Sequence, residues 1–504
     1  MSATLDGQVR RGLGWSAVSS LLLRAGSLVT GIVLARLLAP EDFGVFAVAL
    51  TVQAVLVTLA DLGLSADLVR AEDPERRAPT VATLSLVSGA LLTVLMIVTA
   101  RPVAIALGSE AATPVIVVLA CTLVLSGAGV VPYAQLQRRF EQKKLFAVDA
   151  SAFLVSTAVV VALVLLGVGP MALALSRLVG QVVTTCLQFA LARVRPRFGF
   201  DRQVAGSALR FGAPLALANM LSWALLNIDN VVVSRSLGVV ALGFYVLAFN
   251  VSSWPMTAIG QAIRPVTLAA FSRQQDEDPG PGLGRATALT AAVAVPAGAL
   301  LAVLAGPVVA VLYGERWAPS AAALAGLAAF GALRIVLDVL ATFLIARGSV
   351  TAVLVLQVVW AVTLVPVMVL ATARGGLAAA GWAHLAVALL VVLPGYLVAV
   401  RRAGASPWTV LGRLWPPLLA VVPAVLASGL LSARVEHPAL ALLLGGTVGL
   451  AVYALLIGRW ALGWARTTPA GTDTSTGTGT ADLPAPGPSG TAPVAVPASA
   501  AGSS

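Results

Sequence analysis

The chain has 504 residues, 59% of them hydrophobic and only 11% charged, and a soluble domain of this length cannot carry that composition. Its formal net charge is +11, but the basic residues are divided among many short segments between apolar stretches. This distribution excludes the single basic face that a nucleic-acid-binding protein needs, so no nucleic-acid partner is expected. The composition predicts a membrane protein with many crossings.

About fourteen apolar stretches follow one another along the chain, each near the roughly 20 residues that a crossing helix needs. The first six are assigned to residues 14–38, 43–66, 79–100, 111–134, 145–168 and 170–192. The remaining eight are assigned to residues 209–235, 240–266, 286–313, 318–346, 349–373, 375–400, 408–432 and 438–463. The predicted fold class is an all-α polytopic membrane protein.

The basic residues fall mainly on one side of this series. Of the 32 Lys and Arg, 23 lie in alternate connections such as those at Arg70, Lys144 and Arg202, and six lie in the others, such as those at Arg101 and Arg434. Basic residues concentrate in cytoplasmic loops, so both termini are predicted to be cytoplasmic. The remaining three arginines lie inside crossings.

The first half of the sequence repeats in the second. A shift of 199 residues aligns Arg36 with Arg235, Gly44 with Gly243 and Phe46 with Tyr245. Six crossings separate the copies, so both have the same orientation in the membrane. Parallel repeats of this kind are related by an axis along the membrane normal and enclose a substrate cavity between two lobes.

The repeat defines the domain organisation. The predicted segments are a cytoplasmic N-terminus at 1–13, an N-lobe of six helices at 14–192, a cytoplasmic linker at 193–208, a C-lobe of six helices at 209–400 and two further helices at 401–466. Residues 467–504 are mostly Thr, Gly, Pro, Ser and Ala, with too little apolar bulk to bury, which predicts a disordered cytoplasmic tail.

Polar side chains inside crossings are expensive unless they face protein or water, so they mark a candidate cavity. Several follow a three-or-four spacing that keeps them on one helix face. The candidate binding residues are Arg24, Arg177, Gln181, Gln188, Asn250, Gln261, Arg264 and Arg334. Hydrogen bonds between helices are the alternative for the amides, and snorkelling to the membrane surface is the alternative for Arg264.

The arginines among these candidates predict an anionic ligand. Arg24 and Arg177 have no carboxylate one helical turn away on the same span, whereas Arg334 can pair with Asp338. A guanidinium group donates two hydrogen bonds to one phosphate, so a cluster of them suits a diphosphate. Asp229 lies deep in the seventh crossing and is the leading candidate to bind a proton or a sodium ion, with Asp338 next. A fixed hydrogen bond or ion pair is the alternative for Asp229.

Short motifs in a fixed order resemble those of a known family. They are Ala35-Arg36-Leu37-Leu38 with Phe43-Gly44, Asp61-Leu62-Gly63, Leu237-Gly238 with Leu242-Gly243-Phe244-Tyr245 and Ala248-Phe249-Asn250, Phe271 with Gln274-Gln275-Asp276, and Gly314-Glu315-Arg316-Trp317. The chain resembles the Wzx-like oligosaccharide flippases of the polysaccharide transporter family, in the multidrug/oligosaccharidyl-lipid/polysaccharide exporter superfamily, from residue 10 to about 450. Within it, the motifs are closest to exporters of the colanic-acid or teichuronic-acid type.

The resemblance implies fourteen helices in a MATE/MurJ-like fold that rocks about a central cationic cavity. It implies a non-enzymatic flippase in the cytoplasmic membrane whose substrate is an undecaprenyl-diphosphate-linked oligosaccharide. A polysaccharide polymerase and glycosyltransferases are the implied protein partners. No cofactor or metal is expected, although a proton or sodium gradient usually drives this superfamily.

Three other functions remain as alternatives. A lipid II flippase shares the requirement for arginines, and the motifs alone favour the exporter. A multidrug or ion antiporter of the same superfamily would favour acidic residues in the cavity, because its substrates are cations. A membrane glycosyltransferase or polymerase would need a large extracytoplasmic loop with acidic residues, and no predicted outer loop is long enough.

Overall fold

The computed structural model describes residues 23, 25–195, 197–273 and 279–467, and every regular element in these ranges is a helix. The predicted all-α membrane fold is therefore confirmed. Among the described residues, eleven helices are long and apolar enough to cross a membrane. The expected count of fourteen is consistent with this number and stays a prediction.

The N-lobe consists of seven helices and one short 3₁₀ turn. They are α1 (Ala25–Leu37), α2 (Pro40–Asp61), α3 (Leu64–Arg70), α4 (Pro74–Ala106), the 3₁₀ turn Glu110–Ala112, α5 (Thr113–Arg138), α6 (Gln142–Leu165) and α7 (Pro170–Ala192). The second predicted crossing is divided between α2 and α3, because Leu62 and Gly63 both take left-handed backbone angles and interrupt the helix. Gly63 also touches the backbone of Gly212, where a side chain would be crowded.

The C-lobe and the two appended helices make up the rest. They are α8 (Arg202–Leu226), α9 (Ile228–Leu237), α10 (Val239–Arg273), α11 (Pro279–Val303), α12 (Ala305–Tyr313), the 3₁₀ turn Glu315–Trp317, α13 (Ser320–Ala346), α14 (Val350–Val387), a π turn (Ala388–Val392), α15 (Leu393–Arg402), α16 (Pro407–Ser432) and α17 (Pro438–Thr467). The predicted crossings at 209–235 and 286–313 are each divided into two helices, at Asn227 and at Leu304.

The long stretch Val350–Arg402 reverses direction at Gly376. Gly376 has φ 58° and ψ −143°, which no residue inside a helix adopts. Phe330 lies 5.7 Å from the ring of Trp360 and 5.2 Å from that of His384, although 24 residues of straight helix would span roughly 36 Å. The segment is therefore an antiparallel helical hairpin, in agreement with the predicted crossings 349–373 and 375–400.

The two repeats meet along one seam with two-fold character. A Cβ on Gly44 would lie 1.9 Å from the carbonyl oxygen of Val239, and a Cβ on Gly243 would lie 2.0 Å from that of Pro40. The shift of 199 residues relates Gly44 to Gly243 and Pro40 to Val239, so the two contacts are equivalents of each other. Such reciprocal contact is typical of a two-fold interface. Glycine is required at both positions because the backbones touch.

Close contacts seal the lobes together at this end of the bundle. Arg36 donates to the carbonyl oxygens of Val311 and Leu312 at 2.5 and 3.0 Å, and Arg316 donates back to those of Arg36 and Leu38. The indole of Trp317 donates to the carbonyl oxygen of Ala35 at 2.6 Å. We call this set of contacts the sealed end. The largest apolar core continues inward from it and includes residues of α2, α5, α10, α13 and α14.

Candidate functional site: a cavity and a buried polar chain in the C-lobe

A cavity of about 320 Å³ lies between α10 and α13. Its polar lining comes from one face of each helix: Ser253, Thr257 and Gln261 on α10, and Arg334 and Asp338 on α13. The helical spacing of these residues explains why they share one wall. We call this space the C-lobe cavity. The structure thus brings together three of the predicted site residues, Gln261, Arg334 and Asp338.

Arg334 is the cation of the C-lobe cavity. Its guanidinium carbon lies 6.0 Å from the ring centre of Trp360 on α14. Asp338 lies one helical turn further along α13 and lines the same cavity, and its pairing with Arg334 stays an alternative. A guanidinium group that lines a cavity beside an aromatic ring suits an anion, because it can donate two hydrogen bonds to one phosphate.

A chain of buried polar groups links three helices beside this cavity. The Tyr245 hydroxyl on α10 lies 2.8 Å from Oδ2 of Asp229 on α9 and 2.8 Å from Nε2 of His384 on α14. Asp229 Oδ2 lies 3.8 Å from the same histidine nitrogen, and all three side chains are buried. The hydroxyl donates to the carboxylate and accepts from the imidazole, so Asp229 is held in the fixed hydrogen bond considered above. This bond leaves its coupling role untested.

His384 was not singled out by the sequence analysis. It is an ionisable residue inside an apolar crossing, and that alone marks a candidate site. Nδ1 of His384 is buried and has no hydrogen-bond partner among the described residues. One nitrogen of the ring is therefore committed to the polar chain, and the other is available to a proton.

Arg177 occupies a different part of the molecule. It is exposed on α7, and its guanidinium carbon lies 5.9 Å from the ring centre of Phe46 on α2. No carboxylate of the described residues pairs with it. Arg334 lines the C-lobe cavity and Arg177 does not, so the structure does not bring these two predicted arginines together.

The amides of α7 face its helical neighbours. Gln188 is buried, and its Oε1 lies 2.6 Å from the position of a Cβ on Gly129 of α5. Gln181 donates to Thr185 at 3.5 Å, and Thr185 donates to the carbonyl oxygen of Leu125 on α5. The polar stripe of α7 therefore coincides with its packing face on α5, where Thr185 makes the hydrogen bond between the helices. The roles of Gln181 and Gln188 in substrate binding stay predictions.

The remaining predicted residues are not part of the C-lobe cavity as described. Arg24 lies outside the described residues, and so does the side chain of Arg264 on α10. Asn250 is exposed on α10, and its carbonyl oxygen accepts from Ser253 at 2.8 Å. Their functional roles stay predictions.

Comparison with known proteins places this architecture in a family. Residues 33–322, more than half of the chain, match the family described as polysaccharide biosynthesis protein. The chain belongs to this family. The resemblance to Wzx-like members of the polysaccharide transporter family is thereby confirmed. The match begins in α1 and ends in α13, so it contains the seam between the repeats.

Curated relatives of the family extend over most of the chain. It is 27% identical over 468 residues to the succinoglycan biosynthesis transport protein ExoT of Rhizobium meliloti (strain 1021), which covers 91% of this chain and 94% of the relative. It is 25% identical to the lipopolysaccharide biosynthesis protein WzxC of Escherichia coli (strain K12), over 83% of this chain and 86% of the relative. It is 22% identical to the teichuronic acid biosynthesis protein TuaB of Bacillus subtilis (strain 168), over 68% and 72%.

Solved structures share the fold at low sequence identity. The lipid II flippase MurJ in an inward closed conformation matches with a TM-score of 0.72 and 12% identity, over 89% of this chain and 99% of MurJ. An inward-facing multidrug resistance MATE family transporter matches with a TM-score of 0.62 and 18% identity, over 78% and 98%. This family member therefore has a MATE/MurJ-like fold, and it is a multi-pass membrane protein.

Proposed function

We propose that the protein is a flippase that carries an undecaprenyl-diphosphate-linked oligosaccharide across the cytoplasmic membrane for the synthesis of a cell-surface polysaccharide. The observation that carries this proposal is the similarity to a succinoglycan biosynthesis transport protein over 91% of the chain. The C-lobe cavity supports it, because Arg334 supplies a positive charge beside the hydroxyl and amide groups of Thr257 and Gln261. Guanidinium groups suit diphosphate, and hydroxyls and amides suit sugar.

Alternating access is the proposed transport mechanism. The two lobes meet at the sealed end through backbone contacts and a small set of arginine hydrogen bonds, and each lobe would move as a unit. Rocking of one lobe against the other would separate the sealed end and expose the cavity there. A parallel-repeat fold performs this motion about a site near the repeat interface.

Binding to the lipid carrier tests the substrate. The full chain in detergent should bind undecaprenyl diphosphate, and Arg334→Ala and Arg177→Ala should each weaken binding by about tenfold or more, because each removes a charge-assisted contact. Arg334→Lys should recover part of the loss, since lysine keeps the charge without the fork. Arg235→Ala, an exposed arginine near the sealed end, is the control and should bind as the native chain does. Unchanged binding in both alanine variants, Arg334→Ala and Arg177→Ala, would remove the arginines from the site.

Transport in proteoliposomes separates the substrates. A lipid-linked oligosaccharide and lipid II share the diphosphate, so both are offered to the same preparation and their movement between leaflets is measured. Movement of the oligosaccharide lipid in preference to lipid II is expected. Exclusive movement of lipid II would replace the proposed substrate, and movement of neither would overturn the flippase assignment.

For coupling, we propose that the chain Asp229–Tyr245–His384 binds the driving proton. Nδ1 of His384 is a buried nitrogen without a hydrogen-bond partner among the described residues and would take the proton, and Asp229 is the carboxylate that would stabilise the resulting imidazolium through Tyr245. Arg334 is the charged group on α13 that acts electrostatically on both ionisable groups. Its repulsion of the imidazolium would ease release of the proton when the lobe changes conformation.

An imposed gradient tests this coupling. Native transport should accelerate in a pH gradient, and Asp229→Asn should still move substrate but no longer respond. Tyr453→Phe is the control, because Tyr453 also donates a hydrogen bond, to the carbonyl oxygen of Ala292, yet lies outside the chain of three. Equal gradient dependence in native and Asp229→Asn proteins would transfer the role to Asp338, and a response to sodium alone would exclude the proton.

A further inference from the structure

A second cavity of about 660 Å³ lies at one end of the N-lobe, where the start of α4 meets the ends of α5 and α7. Four arginines line it: Arg139 at the end of α5, and Arg193, Arg195 and Arg197 in the segment after α7. A single carboxylate, that of Glu75, lies among them. We call this space the basic pocket. It has no part in the proposed transport site, and its strong positive charge requires a separate explanation.

Most arginines of the basic pocket are not used by the protein itself. Arg193, Arg195 and Arg197 have no hydrogen-bond, ion-pair or ring partner within the described part of the chain. Only Arg139 is held, through hydrogen bonds of 3.2 Å to the carbonyl oxygen of Ala192 and 3.5 Å to the side chain of Gln135. The negative ends of α5 and α7 attract these cations, but two half-charges do not neutralise four guanidinium groups.

The opposite wall of the basic pocket is apolar. Leu86 and Val131 line it, together with the rings of Phe189 and Phe198. Phe198 and Phe200 are 61% and 67% exposed, an unusual placement for phenylalanine outside a membrane. Exposed phenylalanines beside arginines suit the membrane–water interface, where apolar rings enter the lipid and basic groups stay at the headgroups.

Hydrogen bonds fix the segment that carries these side chains. The carbonyl oxygen of Gly199 accepts from the Thr83 hydroxyl at 2.9 Å, and the amides of Gly199 and Asp201 donate to the hydroxyls of Thr83 and Thr80. Gly199 and Asp201, which follow the arginines in the chain, are therefore attached to α4. Attachment on this side lowers the entropic cost of ordering the arginines on a ligand.

We propose that the basic pocket binds the headgroup of an anionic phospholipid, with the phosphate on the arginines and an acyl chain along the apolar wall. Basic pockets between membrane helices on the cytoplasmic side recognise such headgroups, and this end of the N-lobe is the one that the distribution of basic residues predicts to be cytoplasmic. A free phosphate satisfies only the arginines, whereas a phospholipid satisfies both walls. This proposal does not depend on which substrate the protein transports.

The test compares matched pairs of arginines. The variant Arg195→Gln/Arg197→Gln removes two charges of the basic pocket. The control variant Arg401→Gln/Arg402→Gln removes two exposed arginines that have no partner among the described residues and that are also predicted to lie on the cytoplasmic side. Purified full-length proteins are titrated with phosphatidylglycerol and phosphatidylcholine while bound lipid is counted by native mass spectrometry. The native and control proteins should prefer phosphatidylglycerol, and the pocket variant should bind it about tenfold more weakly.

Two further measurements keep the assignment to a lipid falsifiable. Phe198→Ser should weaken phosphatidylglycerol binding while the charges remain, and inorganic phosphate should not displace the lipid. Monodisperse elution of each variant establishes that it is folded. If both arginine-pair variants lost the same affinity for phosphatidylglycerol, or if the two lipids bound equally well, the binding would be general surface attraction. Either result would overturn the proposal. Displacement by millimolar phosphate would assign the pocket to a soluble anion instead.

Discussion

The buried chain of Asp229, Tyr245 and His384 illustrates what single residues can and cannot reveal in a sequence. Asp229 was identified because a carboxylate deep in a crossing is costly. Its partners, Tyr245 and His384, lie 16 and 155 residues further along the chain, in other crossings. Only the hairpin at Gly376 and the packing of α14 on α9 bring His384 to Asp229. A rule that treats every ionisable residue in a crossing as a candidate would have included His384, but not Tyr245, whose polarity is confined to one hydroxyl.

The amides of α7 show a limit of helical spacing at the same scale. Helical spacing correctly placed Gln181 and Gln188 near one another on the helix, but spacing has no information on which neighbour that face meets. The face meets α5, where Gly129 leaves room for the Gln188 side chain. A stripe of polar residues on one helix face therefore predicts a polar environment. It does not show whether that face lines a cavity or packs on an adjacent helix.

Asp201 allows a prediction about pH at the start of α8. Its Oδ1 accepts hydrogen bonds from the amides of Val204 and Gln203 at 3.3 and 2.9 Å, and these bonds, together with Arg76, hold the pKa of Asp201 below its ordinary value of 3.8. Because the folded state lowers this pKa, the carboxylate stabilises the fold above the ordinary pKa. The stabilisation is lost as pH falls through the lowered value.

Asp201→Asn should therefore lower the Tm at neutral pH. The difference in Tm between the variant and the native protein should vanish as the pH falls from just above 3.8, the ordinary pKa of Asp, to below the lowered pKa of Asp201. Asparagine still caps a helix, so the effect isolates the charge. Thermal unfolding in detergent measures it. Asp73→Asn is the control, because Asp73 precedes α4 without a capping hydrogen bond from its side chain, and it should leave the neutral Tm unchanged. A Tm difference between the native and Asp201→Asn proteins that is constant across pH would contradict the prediction.

At the scale of the helices, the sequence located the crossings but not their interruptions. Apolar length places a crossing within a few residues, since burial in lipid depends on composition over a whole turn or more. The breaks at Leu62 and Gly63, at Asn227 and at Leu304 depend on individual backbone angles and on neighbours from the other lobe. Gly63 is in contact with Gly212, a pairing that no local pattern contains.

The glycines of the seam between α2 and α10 are predicted to control closure of the sealed end. Gly44→Ala places a methyl group 1.9 Å from the Val239 oxygen, which forces the backbones apart at a cost of about 1–3 kcal/mol or more. Gly243→Ala should act in the same way from the other copy. Both variants should favour conformations in which this end is open.

Thiol labelling measures that opening. Ala35→Cys, at a buried position of the sealed end in a chain whose Cys121 and Cys186 are replaced by Ala, reports access there to a maleimide that does not cross membranes. Labelling should be faster in both glycine variants than in the parent. Gly31→Ala is the control, because a methyl group there meets nothing within 4 Å. Equal labelling rates in the parent and the Gly44→Ala variant would show that this contact does not limit closure.

At the scale of the whole molecule, the orientation in the membrane is the prediction that most of the others assume. Reporter fusions after Arg70, Lys144 and Arg202 should be cytoplasmic, and fusions near Ser109 and Arg434 should be external, because the connections of the first group carry the excess of arginine and lysine. The hairpin tip at Gly376 should also be external. An external reporter signal at residue 202 would contradict this orientation. The predicted sides of both lobes, of the sealed end and of the basic pocket would then all be inverted.

The architecture of two lobes was predictable because the sequence pattern of the first lobe is repeated in the second. Aligned positions such as Gly44 and Gly243 are few, yet the structure places them against each other's repeat in equivalent contacts. The cavity was less predictable, since its walls come from helices of one lobe, while the predicted arginines were spread over both. Repetition reveals symmetry from sequence, whereas the shape of a cavity depends on side chains that symmetry does not specify.

The reciprocal seam has the form of a homodimer interface whose two subunits have been joined in one chain. Because the two halves are covalently joined, each is present to the other at an effective concentration in the millimolar range. An interface with a dissociation constant near 1 mM, worth about 4 kcal/mol, is therefore already half formed. Free half-length chains would need a far stronger interface to stay together at cellular concentrations. The connection through residues 193–208 therefore permits a seam weak enough to open and close again in the proposed alternating access, without loss of the partner.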